Sequence, residues 1–163
     1  METKKLIHIS LMTALSLCLS FIRLPIIPIA PFLTLDLSSL PLMILAKKEA
    51  STAIITMWLS SGLTILLHGL QPVEMIGQLA TLVFNYIVII AIQKQYSFWK
   101  LLVLSLFAMI MLNIIVILPL YLFLFHFTLG YSLTLYIIGA LIPFNVIKIG
   151  ILYILFRMLR DVS

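Results

Sequence analysis

Hydrophobic positions along this chain run in long, nearly unbroken blocks separated by short polar punctuation. The first block is Leu6 to Leu24, and it predicts a helix that stops before Pro25. Pro25, Pro28 and Pro31 then make Pro25 to Thr34 too proline-rich for a lipid-exposed helix. That stretch reads as an outer loop or a re-entrant segment packed into protein. Leu35 to Ala46 is a shorter block. Asp36, Ser38 and Ser39 are good helix-start residues, and Pro41 suits a first turn. A dozen residues rise only ~18 Å, too little to cross a ~30 Å hydrocarbon core alone. A short half-span, supported by the preceding loop and closed by Lys47-Lys48-Glu49, fits better. Ala50 to Leu67 and Val73 to Ile92 are the next two blocks, closed by His68-Gly69 with Gln71-Pro72, and by Gln93-Lys94-Gln95. Phe98 to Phe125 is the longest, and Pro119 predicts a kink or an end within it. After a turn at His126 to Tyr131, Ser132 to Met158 forms the last block. There Pro143 either kinks the helix or marks the start of its regular part.

Composition turns these blocks into a class. The hydrophobic fraction is 64% and the charged fraction 9%, against about 25% charged residues in soluble domains. The chain reads as an all-α integral membrane protein, one domain over residues 1–163. Charge tests the count of spans. With the amino terminus in the cytoplasm and six passes, Lys4, Lys5, Lys47, Lys48, Lys94, Lys100, Arg157 and Arg160 fall on the inner side. Arg23 is then outside, and Lys148 belongs to neither face. Merging the short second block into a loop breaks this order, so we expect six transmembrane helices, the second one short, with both termini cytoplasmic. The run from Leu6 continues through Phe21 and Ile22 without a small-residue cleavage pattern, so it is read as a retained helix. The positive-inside bias accounts for the net charge of +5, which therefore calls for no nucleic-acid partner. Cys18 is a lone cysteine and permits no internal disulfide.

Catalytic and nucleotide-binding patterns are missing from the sequence. It has no Walker loop, no His-Glu-x-x-His, no G-x-S-x-G and no Cys/His cluster. His8, His68 and His126 fall in separate segments and suggest no metal site. Among the carboxylates Glu2, Asp36, Glu49, Glu74 and Asp161 no pair suits acid–base work. An enzyme is not expected. Four polar side chains remain inside the apolar blocks: Asn85, Asn113, Asn145 and Lys148. Each is either glue between helices or the lining of a functional cavity. Asn145 and Lys148 are three residues apart and share a helix face. Lys148 lies ~13 Å along a helix from Arg157, and Asn113 ~20 Å from Lys100. The two are thus at similar depth, beneath the proline-rich loop. Such a pair suits a flat heterocycle with several polar edges. Trp58, Tyr86, Tyr121 and Phe144 are candidate stacking faces, or plain core. On the first helix Ser10, Ala14 and Cys18 form a stripe of small residues, suited to close helix packing in this bundle or against a separate membrane subunit.

Three motifs carry a family resemblance. Residues 31–41, Pro-Phe-Leu-Thr-Leu-Asp-Leu-Ser-Ser-Leu-Pro, resemble the first loop and second-helix start of S components of energy-coupling-factor (ECF) vitamin transporters. Residues 113–121, Asn-Ile-Ile-Val-Ile-Leu-Pro-Leu-Tyr, resemble the fifth helix of the riboflavin-specific branch, and Ile142 to Lys148 the opening of its sixth. The resemblance implies a substrate-capturing membrane subunit in the cell membrane, with a riboflavin pocket open to the outside. By position, Asn113 and Lys148 look like the side chains that bond the isoalloxazine ring. Leu42 and Ala46 look like positions where backbone reaches the ligand, and Asn145 and Asp36 match motif positions beside them. Ser10, Ala14 and Cys18 look like the docking stripe for the transmembrane coupling subunit, which works with two ATPase subunits. The family implies no cofactor, riboflavin being the transported ligand. Departures include Lys47-Lys48-Glu49 in place of a glycine-proline turn, Ser60-Ser61-Gly62 in the third helix, the place of Gly150, and a poorly matching fourth helix. They leave open a related vitamin such as pantothenate, or a scaffold protein that transports nothing.

Overall fold

The computed structural model describes residues 3–26, 34–68, 70, 72–119, 123 and 133–160, with backbone alone at 72–74, 117, 133 and 160. Helix α1 spans Thr3–Phe21. Strands β1 (Leu24–Pro25) and β2 (Thr34–Leu35) pair antiparallel, Leu24 opposite Leu35 and Pro25 opposite Thr34. There follow α2 (Ser39–Lys48), α3 (Ala50–Leu67), α4 (Pro72–Gln93) and α5 (Phe98–Leu112). A π-helical turn, Asn113–Ile117, continues α5. After α6 (Leu133–Tyr136) and a second π turn (Ile137–Leu141), α7 runs over Ile142–Arg160. Among the described residues, five helical stretches are long and apolar enough to cross a membrane. The expected helix limits hold closely for the third and fourth blocks. The first helix ends earlier, at Phe21, because Pro25 biases Leu24 toward extended backbone and β1 begins there. Pro28 and Pro31, the turn at His126 to Tyr131, Tyr121, Glu2 and Asp161 lie outside the described residues.

The short helix sits in the middle. Of its ten residues, Ser39, Leu40, Pro41, Leu42, Met43, Leu45 and Ala46 are buried. It packs on α1, α3, α4 and α7, while the long helices neighbour one another in the order α1, α3, α4, α5, α7. A helix enclosed by protein need not span lipid, which is why ten residues suffice. Asp36 prepares its start, accepting hydrogen bonds from the Ser38 backbone N–H (2.7 Å) and Ser38 Oγ (2.9 Å). Ser16 Oγ of α1 donates to the Ser38 carbonyl at 2.8 Å.

Three contacts gather the basic helix ends together. Lys5 of α1 is ion-paired with Glu49 at the α2–α3 junction. Gln93 Nε2, at the end of α4, donates to the Ala46 carbonyl. The Arg157 guanidinium lies over the Phe98 ring, 5.6 Å from its centroid. At the other end, Ser20 Oγ meets Thr64 Oγ1 at 3.5 Å, and Phe21 stacks on His68 with centroids 5.0 Å apart.

Both π turns have a cause in the sequence. Each closes with a hydrogen bond across five residues, Leu118 N–H to the Asn113 carbonyl and Ile142 N–H to the Ile137 carbonyl. In each, one residue separates the end of the turn from a proline, Pro119 or Pro143. Proline lacks the N–H for the carbonyl four residues back, and its ring crowds that carbonyl. A wider turn relieves the clash without ending the helix. Pro143 therefore sits at the second residue of the regular helix.

Candidate functional site at the α5–α7 crossing

The end of α5 and the start of α7 bring two buried amides together. Asn113 Nδ2 donates to Asn145 Oδ1 at 2.9 Å, and Asn145 Nδ2 donates to the Leu141 carbonyl at 2.8 Å. Asn145 has no exposed surface and Asn113 only 7%. Asn113 heads the first π turn, and Leu141 ends the second. The amide bridge thus joins the two places where the helices are widened, a setting common at functional sites. Asn113 Oδ1 makes no bond to a described residue, so it keeps acceptor capacity. Around the pair lie Leu118, Tyr136, Ala140, Leu141 and Phe144.

Lys148 stands one turn beyond Phe144. Its Nζ lies 5.9 Å from the centroid of that ring, a cation–π distance. Asp36 attracts the ammonium and Arg23 repels it. The ribbon explains their shared position. With Leu24 opposite Leu35, the antiparallel register places Arg23 opposite Asp36, one step further along. Three elements distant in sequence therefore present an ammonium, a guanidinium and a carboxylate to one region, beside two amides.

The remaining predicted residues fall elsewhere. Leu42 and Ala46 face α3 and α4, clustering with Ala53, Met57, Leu82 and Ile89. The Ala46 carbonyl accepts from Gln93 Nε2 near the basic end. Of the proposed stacking faces among the described residues, Phe144 is at the site. Trp58 and Tyr86 are 61% and 49% exposed on the outer surface, where an aromatic ring meets lipid at less cost than a charge does. Asn85 is buried within α4. His8 and His68 bond the carbonyls of Lys4 and Thr64 in their own helices, and His126 lies outside the described residues. Ser10, Ala14 and Cys18 are exposed, while Ile9, Thr13, Ser16 and Ser20 form the buried face of α1. The small-residue stripe is not used for packing among the described residues of this chain.

Two features escaped the sequence reading. The π turns were legible as prolines preceded by buried polar or small residues, but only as kinks. The bond of Ser105 Oγ to Tyr153 Oη at 2.6 Å also links α5 to α7. Its signal was a spacing: Ser105 and Asn113 are eight residues apart, as are Asn145 and Tyr153.

Chemically, the site offers hydrogen-bond donors and acceptors without a nucleophile–base pair. No cluster of metal-ligating side chains occurs among the described residues. No family model matches the chain. The riboflavin transporter RibU of Streptococcus thermophilus is 30% identical over 165 residues, covering 90% of this chain and 76% of that protein. A solved structure of the S component of a bacterial ECF transporter superposes with a TM-score of 0.74 at 26% identity, over 99% of this chain and 95% of that one.

Proposed function

The chain belongs to the RibU-like S components of ECF transporters, and from that premise we propose that it captures riboflavin outside the cell at the α5–α7 crossing. It is a multi-pass membrane transport subunit, not an enzyme. The observation that carries the ligand assignment is the buried Asn113–Asn145 bridge beside Lys148. The pyrimidine edge of an isoalloxazine alternates carbonyl acceptors with an imide donor. Asn113 Oδ1 can accept from the imide, and the Lys148 ammonium can donate to a ring carbonyl. Asn145 would hold Asn113 in register, Asp36 would accept from ribityl hydroxyls, and Phe144 supplies an aromatic surface. Leu42 and Ala46 would serve through backbone.

The positive-inside pattern supports an orientation with both termini in the cytoplasm of a cell-membrane protein, and with α2 as the short second of six spans. The exposed Ser10/Ala14/Cys18 stripe would dock the transmembrane coupling subunit, which two ATPase subunits energise. That division of labour agrees with the lack of a nucleotide loop in this chain.

Purified protein is expected to bind riboflavin with quenched flavin fluorescence. Lys148→Ala removes a charge-assisted hydrogen bond and is expected to weaken binding roughly 10- to 100-fold. A wild-type protein that ignores riboflavin would refute the ligand assignment. A thermal-shift screen across vitamins, pantothenate included, then identifies the substrate, and a blank screen favours a scaffold.

A further inference from the structure

Two furrows run along the outside of the bundle at its basic end, with Trp99 as their common wall. One, a cavity of about 580 Å³ between α5 and α7, is lined by Phe98, Leu102, Ile154, Met158 and Arg157 as well as Trp99. The other, of about 520 Å³, is lined by Trp99, Lys100, Val103, Leu104 and Phe107. Trp99 is 72% exposed, and Val103, Phe107, Ile154 and Met158 are also exposed. In a membrane these walls meet hydrocarbon chains. The tryptophan, the second residue of α5, is where aromatic anchors sit, at the level of the headgroups.

Each furrow carries one cation at the same helix end. Lys100 follows Trp99 directly, and Arg157 is held over the neighbouring Phe98 ring. Among the described residues no carboxylate lines either furrow, and none is ion-paired with Lys100 or Arg157. Tyr153 lines the first furrow from inside, its hydroxyl turned to Ser105. Lys100 and Arg157 are both exposed, so the charge faces outward.

Two apolar furrows around one indole, with a cation in each, call for an occupant with two hydrocarbon chains and an anionic head. A soluble anion would leave the apolar walls unfilled. A zwitterionic lipid would bring its own cation to a place already doubly positive. We propose that the furrows around Trp99 form a binding site for an anionic phospholipid, its acyl chains on either side of the indole and its phosphate held by Lys100 and Arg157. Basic sites at the cytoplasmic edge of membrane helices favour such headgroups. The site lies on α5 and α7, away from the small-residue stripe on α1, and is independent of the vitamin assignment.

Native mass spectrometry of the full chain in detergent tests this with three probes: phosphatidylglycerol, phosphatidylcholine with the same chains, and glycerol 3-phosphate. The chain is expected to retain one phosphatidylglycerol in preference to phosphatidylcholine, and no glycerol phosphate. The double variant Lys100→Gln/Arg157→Gln should weaken phosphatidylglycerol about 30-fold, from two surface charges lost. Arg157→Lys, which keeps the charge, and Lys94→Gln, outside the furrows, should both retain it. Melting curves of each variant separate loss of binding from loss of fold. Equal retention of both lipids, or full retention by a folded double variant, would overturn the proposal. Saturation by glycerol phosphate alone would show a simple anion site and overturn it too.

Discussion

Asn145 is fully enclosed, and its amide joins α7 to both Asn113 and the Leu141 carbonyl. Such a group is costly to leave half-satisfied. Asn145→Leu strands the Asn113 amide and is expected to destabilise by about 1–3 kcal/mol. Asn bonds between membrane helices average lower, near 0.6 kcal/mol, so the smaller end is the fair expectation in detergent. Replacing both amides by leucine should recover most of the melting temperature, because no polar group is then stranded. Vitamin binding should be lost in the single and the double variant alike. If Asn145→Leu melts like wild type, the bridge is not structural. Lys148 differs: its ammonium lies over the Phe144 ring, attracted by Asp36 and repelled by Arg23. Its removal should touch binding far more than stability.

At the scale of elements, α5 and α7 are antiparallel rods joined by two polar bonds in one register. Ser105–Tyr153 and Asn113–Asn145 are eight residues apart on each helix, or about 12 Å. Ser105→Ala and Tyr153→Phe are each expected to cost about 0.5–1.5 kcal/mol, and together little more than either alone. Full additivity in thermal melts would count against the bond. A second junction ties α1 to the α2–α3 corner. Hydrogen bonds from Lys5, then Ser51 and Thr52, hold the Glu49 carboxyl down at about 2, below its ordinary 4.5. A depressed carboxylate stabilises the fold fully above the ordinary value and loses that effect as pH falls toward the depressed one. Wild type should therefore out-melt Glu49→Gln at neutral pH, and the gap should close between pH 4.5 and 2. Because the pair is exposed, the gap should also shrink in salt. A gap that is constant over this range would deny Glu49 the role.

For the whole molecule, one short helix is surrounded by long ones, and one face of α1 is left uncovered. The proposed docking role of the exposed Ser10, Ala14 and Cys18 stripe predicts that docking and vitamin binding separate. Ala14→Leu adds bulk where only lipid or a partner can meet it. Riboflavin affinity of the isolated chain should be unchanged, while co-purification with the coupling subunit and ATPases should fall sharply. Loss of vitamin binding in this variant would mean that the stripe belongs to this fold and not to an interface.

Hydropathy and charge alone determined that the chain lives in a membrane and set the limits of its third and fourth helical blocks. That is because transfer free energy and backbone satisfaction in lipid act residue by residue along a segment. The same local rules made Ala50 to Leu67 exact, flagged Pro119 and Pro143, and singled out Asn113, Asn145 and Lys148. Only the tertiary structure decided what those residues meet. The register of a two-residue ribbon sets Arg23 opposite Asp36, and the crossing of α5 and α7 closes the amide bridge. The same packing turned Leu42 and Ala46 toward α3 and α4, and left Trp58 and Tyr86 facing outward. Such pairings depend on how helices rotate about their axes, and in an apolar block nearly every face is hydrophobic enough to be either inside or out.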